Sequence, residues 1–370
     1  MPAPLDQARD VRDQLKTWLL DDAYPLWASA GRDRVGGGFF EKIDLSGAPV
    51  EAPRRARVTT RQIYAYALAG QLGWDGPWRE VVEEGLRVLR ERYLRADGLV
   101  RVLVDANGAP LDETPAPYEQ AFAMLALSAA DTALGAERGF EAMAVRTREA
   151  LRERLGRPDG GFNEPQAGPL RANPHMHLFE AAQAWRAGGE DSGWRVMADG
   201  IAQIALTRMI DPATGGLAEL FDEAWRPLAD ADVEPGHQFE WGWLLLRFGA
   251  TEAALRLIDL AEAQGVDPVR GVAFNTLGAD LKPRDLSARL WPQTERLKAA
   301  VAAALATGEE RYWTMAASGG RGLQQYLATE VPGLWRDRMN ADGAFVEEPA
   351  PASSFYHIVG AILDLDKALG

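Results

Sequence analysis

The sequence predicts an all-α fold, an (α/α)6 barrel of six helix pairs with short β-hairpins at one rim. Three observations carry this: recurring turn segments, paired amphipathic stretches between them, and apolar chain ends. The turns open at Gly36, Asp97, Gly160, Gly215, Gly271 and Gly333, spaced 61, 63, 55, 56 and 62 residues apart. A period of this length marks one supersecondary unit stacked many times. An open stack needs polar caps at both ends. Here the first stretch carries Leu15, Trp18, Leu19 and Leu20, and the last carries Phe355, Ile358, Val359, Ile362 and Leu363. Closing the array into a ring buries both, so a single domain over 1–370 is expected. Two separate helical domains is the alternative.

Apolar residues recurring at i, i+3 and i+4 place helices near 5–29, 58–73, 77–94, 117–134, 138–155, 174–187, 190–208, 236–250, 252–264, 284–306, 309–328 and 352–369. In 77–94 the stripe is Val81, Val82, Leu86, Val88, Leu89 and Tyr93. The intervening segments read as short strands, such as 99–104, with hairpin turns at Asp105-Ala106-Asn107-Gly108 and Asn340-Ala341-Asp342-Gly343. The pairing of the first and last intervals crosses the chain ends. Gly319-Gly320-Arg321-Gly322 lies inside a helical pattern and reads as close packing or a kink.

Composition narrows the function. With 40 basic and 54 acidic residues among 370, the net charge is −14, which repels phosphate backbones and anionic lipid. Neither a nucleic-acid nor a membrane partner is expected. There is no Cys, which removes thiolate metal sites, disulfides and a cysteine nucleophile. The opening Met1-Pro2-Ala3-Pro4-Leu5-Asp6-Gln7 lacks the pattern of a secretory leader, and a cytoplasmic protein is expected. No phosphate loop, nucleophile elbow or H-E-x-x-H zinc motif occurs.

What remains is polar residues at the starts of otherwise apolar helices. Only four His occur, and three sit in such places. Asn173-Pro174-His175-Met176-His177-Leu178-Phe179-Glu180 puts His177 and Glu180 on one face, three apart. Glu234-Pro235-Gly236-His237-Gln238-Phe239-Glu240 repeats the spacing with His237 and Glu240, and Ser353-Ser354-Phe355-Tyr356-His357 opens a third helix. Each alone is more often a hydrogen-bonded core residue. Together, on inner helices that start at one end of a barrel, the imidazoles could reach one cavity. Their convergence on a metal is the weaker reading. Trp291-Pro292-Gln293-Thr294-Glu295 and the face shared by Arg57 and Arg61 add polar groups at helix starts, whereas Arg54 and Arg55 read as a solvated basic run.

Taken in order, these motifs resemble the N-acylglucosamine 2-epimerase family, which includes cellobiose 2-epimerases and mannose isomerases. The likeness runs from Arg57 to His357, through Arg57-Val58-Thr59-Thr60-Arg61-Gln62-Ile63-Tyr64, the three His motifs and Arg289-Leu290-Trp291-Pro292-Gln293-Thr294-Glu295. It implies an (α/α)6 barrel that interconverts sugars at C1 and C2 with no cofactor and no essential metal. It implies that Arg61 binds the O1/O2 side of the open-chain sugar. Tyr118 and Asn173 would line the pocket, His177 would contact the sugar, and Trp291 would stack under the ring. His237, supported by Glu240, and His357 would transfer protons, while Glu295 would orient its neighbours.

The chemistry needs such groups. The C2 hydrogen of an aldose is a weak acid, and imidazole is a base poised near neutrality. Its removal leaves a cis-enediolate, whose negative charge a fixed guanidinium stabilises in a dry site. The leading expectation is an aldose–ketose isomerase, D-mannose to D-fructose, acting on a small-molecule sugar, with a homodimer left open. A sugar 2-epimerase is the alternative. Further off stand a glycoside hydrolase using Glu219, Asp222 or Glu240, and a non-catalytic sugar-binding protein.

Overall fold

Helix boundaries here follow local chemistry, and the boundaries then place the site. The computed structural model describes residues 2–370. Twelve rods follow one another. In chain order, α1 (Pro4–Trp18) continues through a π turn into Tyr24–Ser29, and α2 is Ala56–Leu72. Next come α3 (Trp78–Val88), α4 (Pro117–Leu134), α5 (Phe140–Leu155), α6 (Ala172–Gly188) and α7 (Gly193–Ile204). The chain ends with α8 (Pro235–Phe248), α9 (Thr251–Gly265), α10 (Leu290–Thr307), α11 (Glu310–Leu327) and α12 (Phe355–Leu369). Pro117 and Pro235 occupy first helical positions, where a missing N–H costs nothing. Gly73 and Gly249 end α2 and α8 in the left-handed conformation that closes a helix.

The even-numbered helices form an inner ring and the odd-numbered ones an outer ring, in which each inner helix packs against its ring neighbours and α12 returns to α2. The two kinds differ in pattern. Along α4, Ala121 to Ala130 are all buried, whereas α3 buries only Val81, Val82, Gly85, Leu86 and Val88. A helix apolar on all sides belongs inside, and one with a stripe belongs outside. The ends meet as expected: α1 packs on α11 and α12. At this seam Trp27 stacks on Trp335 at 4.5 Å and Trp335 on Phe355 at 5.7 Å, and Lys16 Nζ donates to Asp366 at 2.8 Å.

Gly319 to Gly322 form no kink. The helix α11 runs through them, and a Cβ on Gly320 would lie 2.3 Å from Val11 Cγ1. The glycines let α1 approach.

The strands are two or three residues long and all antiparallel; they stitch the connections at the end of the barrel where the inner helices begin. Lys42–Ile43 pairs with Ala350–Pro351, and Ala288–Arg289 with Arg338–Met339. Two expectations change. The helix expected at 284–306 starts at Leu290, because Pro283–Asp285 is taken by a hairpin with Thr276–Leu277. Arg54 and Arg55 are not a solvated run: Arg54 is buried against Asp33 at 3.1 Å, and Arg55 Nε donates to Glu41 at 2.6 Å.

Candidate active site

Four of the six inner helices open the same way. Gln120 on α4 exchanges two hydrogen bonds with the backbone of Val100 and donates back to Ala116 O. Gln238 does so with Leu217 and Glu234 O, and Gln293 with Ala273 and Arg289 O. On α6 the place is taken by His175: its Nε2 accepts from Phe162 N–H at 2.9 Å and its Nδ1 faces Arg171 O at 2.8 Å. Burial holds His175 neutral, with its pKa lowered to about 4. His175 is therefore a clamp for the rim.

Two positions after these clamps, the chain points a side chain at the barrel axis. Arg61, Phe122, His177, Glu240, Glu295 and His357 each stand six residues beyond the residue that caps the helix or its leading turn. Six helices started in one register thus deliver one layer of side chains. A cavity of about 160 Å³ opens over it, lined by Arg61, Tyr118, Asn173, His177, Glu234, His237, Glu240, Arg289, Trp291 and His357. All the residues to which the family resemblance gives a role line it except Glu295, which stands behind His357.

The imidazoles differ in their partners. His357 Nδ1 lies 2.8 Å from Glu295 Oε1. Burial, then the charges of Arg61 and Lys298, hold His357 well below the usual imidazole range, so it is neutral and its Nε2 lone pair is open to the cavity. His177 Nδ1 faces Glu180 Oε2 at 3.3 Å, and burial lowers it to about 4 despite that carboxylate. His237 is the opposite case. Burial works against its charged form, but Glu219 at 2.9 Å and Glu234 at 3.8 Å override it and lift the imidazole to about 9. At neutral pH His237 is an imidazolium.

The expected support of His237 by Glu240 is therefore corrected. Spacing of i, i+3 puts both on one helix face, but the hairpin that carries Glu219 reaches His237 first. Glu240 points instead between His177, 3.8 Å away, and the Glu295–His357 pair. It is fully buried and neither of its oxygens has a partner. Burial, then the nearby Glu295 carboxyl, push its pKa well above the ordinary range, which favours its protonated form. Glu219 was weighed only as a hydrolytic carboxylate; its role depends on a loop 18 residues from His237 that spacing does not reveal. Asp222, weighed with it, caps its own turn and is outside the cavity.

Arg61 donates to Tyr118 Oη at 2.6 Å and to Ser353 O at 2.9 Å, and its guanidinium lies 4.2 Å from the Phe122 ring centre. Arg61 Nε and Asn173 Oδ1 are buried without partners on side chains that line the cavity. Trp291 is within reach of both key imidazoles, its ring centre 4.9 Å from that of His237 and 5.7 Å from that of His357. Gly236 permits this, since a Cβ there would meet the Trp291 ring at 2.5 Å. Three groups of one His and two carboxylates gather within 4.8 Å, the kind of set a divalent cation takes. In two of them one carboxylate is already engaged, Glu180 by Tyr356 Oη and Glu295 by the Lys298 ammonium. No helix among the described residues is long and apolar enough to cross a membrane.

Comparison with known proteins agrees in sequence and shape. Residues 38–361 match the family described as N-acylglucosamine 2-epimerase (GlcNAc 2-epimerase). A protein of Rhizobium meliloti (strain 1021) named mannose-6-phosphate isomerase is 45% identical, over 96% of this chain and 97% of its own. A D-mannose isomerase of Thermobifida fusca is 28% identical, over 88% of this chain and 87% of its own. The cellobiose 2-epimerase of Bacillus thermoamylovorans B4167 shares the fold, with a TM-score of 0.88 and 18% identity, over 97% of this chain and all of its own.

Proposed function

The chain belongs to the N-acylglucosamine 2-epimerase family, a family of sugar isomerases and epimerases, and from that premise we propose that it is an aldose–ketose isomerase converting D-mannose to D-fructose. The whole chain acts as one catalytic domain. The observation that carries the reading is the different surroundings of two imidazoles near Trp291: His237 against Glu219 and Glu234, which lift it to about 9, and His357 against Glu295, where burial and nearby cations push it below the usual range. Environments that push two titratable groups apart assign the acid and the base.

The steps follow. The sugar ring rests on Trp291, held by Asn173, Tyr118 and His177. His237 donates a proton to the ring oxygen and recovers one from the O1 hydroxyl, which opens the ring. His357 Nε2 takes the C2 hydrogen, and the electrons move into a cis-enediolate. Arg61 and the His237 imidazolium face the developing oxyanion in a site with little water, where such charges act strongly. Protonated Glu240 donates a hydrogen bond to a sugar oxygen. His237 gives its proton to O1 and takes the one on O2, and His357 then returns its proton to C1, which leaves the carbonyl at C2 and both imidazoles as they began. A 2-epimerase needs a second base on the opposite face of the enediolate. An imidazolium is no base, so the protonated His237 favours isomerisation.

The cavity is small beside the ~300–1,000 Å³ of typical ligand sites, which favours a monosaccharide over a disaccharide. A phosphorylated substrate is the second reading. It is supported by the name of the 45% identical relative and by Arg289 at the cavity wall. Against it, Arg289 already donates to Glu234 at 3.0 Å. The test is to incubate the protein with mannose, mannose 6-phosphate, glucose, N-acetylmannosamine and cellobiose and follow C1 and C2 by NMR. Fructose from mannose is expected. Glucose from mannose without fructose, or no conversion of any sugar, overturns the reading.

A further inference from the structure

Three residues beyond the catalytic layer, the inner helices set a second layer across the barrel: Tyr64, Leu125, Glu180, Trp243, Lys298 and Gly360. It separates the sugar cavity from one of about 330 Å³ lined by the C-terminal halves of the same helices. Lys298 is 2% exposed, and its ammonium lies 3.7 Å from the centre of the Trp243 ring. Its Nζ donates to Glu295 Oε2 at 2.7 Å, and the other oxygen of Glu295 faces His357 Nδ1 at 2.8 Å. No motif marks Lys298 in the sequence.

We propose that Lys298 is a positioning residue for the proton transfer: through Glu295 it fixes the tautomer of His357, so that Nε2 presents a lone pair to the sugar. The proposal rests on the reading of His357 as the base. A fully buried carboxylate is costly unless paired. Three carboxyl groups crowd the middle of the barrel, Glu180 on α6, Glu240 on α8 and Glu295 on α10. Glu180 accepts from Tyr356 Oη and faces His177. Glu240 has no partner and keeps its proton. The ammonium is therefore the cation hydrogen-bonded to Glu295, and its charge favours the carboxylate while burial, the larger effect, pushes the carboxyl up. An ionised Glu295 only accepts, so the His357 proton must sit on Nδ1. Were Lys298 absent, Glu295 would take up a proton and donate it to Nδ1. The ring proton of His357 would then move to Nε2, and no lone pair would face C2. The other charged or titratable groups around Lys298 are Tyr64 and Arg61 on α2, Arg247 on α8, and Tyr356 and Asp364 on α12. None touches Glu295.

The test is the ¹⁵N spectrum of the full chain labelled in its four His, with His357 assigned through His357→Gln. The parent should show a protonated Nδ1 and a bare Nε2 at His357. In Lys298→Met the two signals should exchange character, and kcat for the sugar substrate should fall about 10²-fold with KM within about threefold, as for loss of a positioned base. Lys298→Arg keeps the cation and has the neighbouring cavity to receive its larger head; it should keep the parent tautomer and a kcat within about tenfold. A folded Lys298→Met with the parent tautomer overturns the proposal. If that variant does not fold, Lys298→Arg decides, and an exchanged tautomer there overturns it. The spectrum needs no turnover, so a parent inactive on every sugar would defeat the functional reading while the tautomer still judged Lys298.

Discussion

Replacing Glu219 by Gln should move one limb of the pH–rate profile and leave the other in place. The carboxylate of Glu219 lies 2.9 Å from His237 Nδ1 and heads the groups that lift this imidazole to about 9. Burial opposes the lift, so without that charge the pKa should drop to about 6.5 or lower. At pH 7.5 the protonated fraction of His237 then falls from about 97% to about 9% or less, roughly a tenfold loss in kcat/KM if the acid must be charged. The base does not change, because His357 draws its support from Glu295. The parent profile should be flat through neutrality, falling in acid as His357 protonates and in alkali as His237 loses its proton near 9. Below about pH 6 the variant should approach the parent. The assay is initial rates of ketose formation from pH 5 to 10. An alkaline limb at the same pH in parent and variant would refute the assignment of His237 as the acid and Glu219 as its support.

Other outcomes follow from the same geometry. His237→Ala and His357→Ala should each lower kcat by about 10² or more, measured on the sugar that the parent converts. Glu240→Gln should keep kcat within about tenfold, since an amide donates as a carboxylic acid does, while Glu240→Ala should cost more. The same Glu240→Gln should raise the melting temperature at neutral pH. The folded pKa is raised, so the contribution of Glu240 is fully present below about pH 4 and shrinks as pH climbs, because the unfolded chain releases the proton first. The gain from Gln should therefore grow from pH 5 to 7.5, and a pH-independent difference would count against a protonated Glu240. Phe355→Ala removes a ring packed on Trp27, Trp335 and Tyr24 at the ring seam and should cost about 3–5 kcal/mol by denaturant unfolding.

The barrel was legible because its physical cause is periodic. Turn segments about every 60 residues and amphipathic stretches between them gave the twelve helices. The boundary at Leu290 was missed because strand pairing of Pro283–Asp285 is a non-local contact. Among site residues, those facing the axis could be found from helix starts, and Arg61, His177, His237 and His357 do meet around one cavity. Pairings between elements were not readable. His237 and Glu240 share a face, yet a hairpin residue, Glu219, takes the imidazole, and Glu295 on α10 reaches across to His357 on α12. One signal was available and unused: the interval from Arg61 through Phe122, His177, Glu240 and Glu295 to His357 repeats every 55 to 63 residues, which marks a single layer.

The claim beneath all of this is that an imidazole carries the C2 hydrogen of the sugar as a proton. Converting mannose in D2O and reading the fructose by NMR tests it directly. Deuterium at C1 of the fructose is predicted for the parent, with no labelled fructose from His357→Ala. Complete retention of the original C2 hydrogen at C1, or undiminished labelling in that variant, would contradict it.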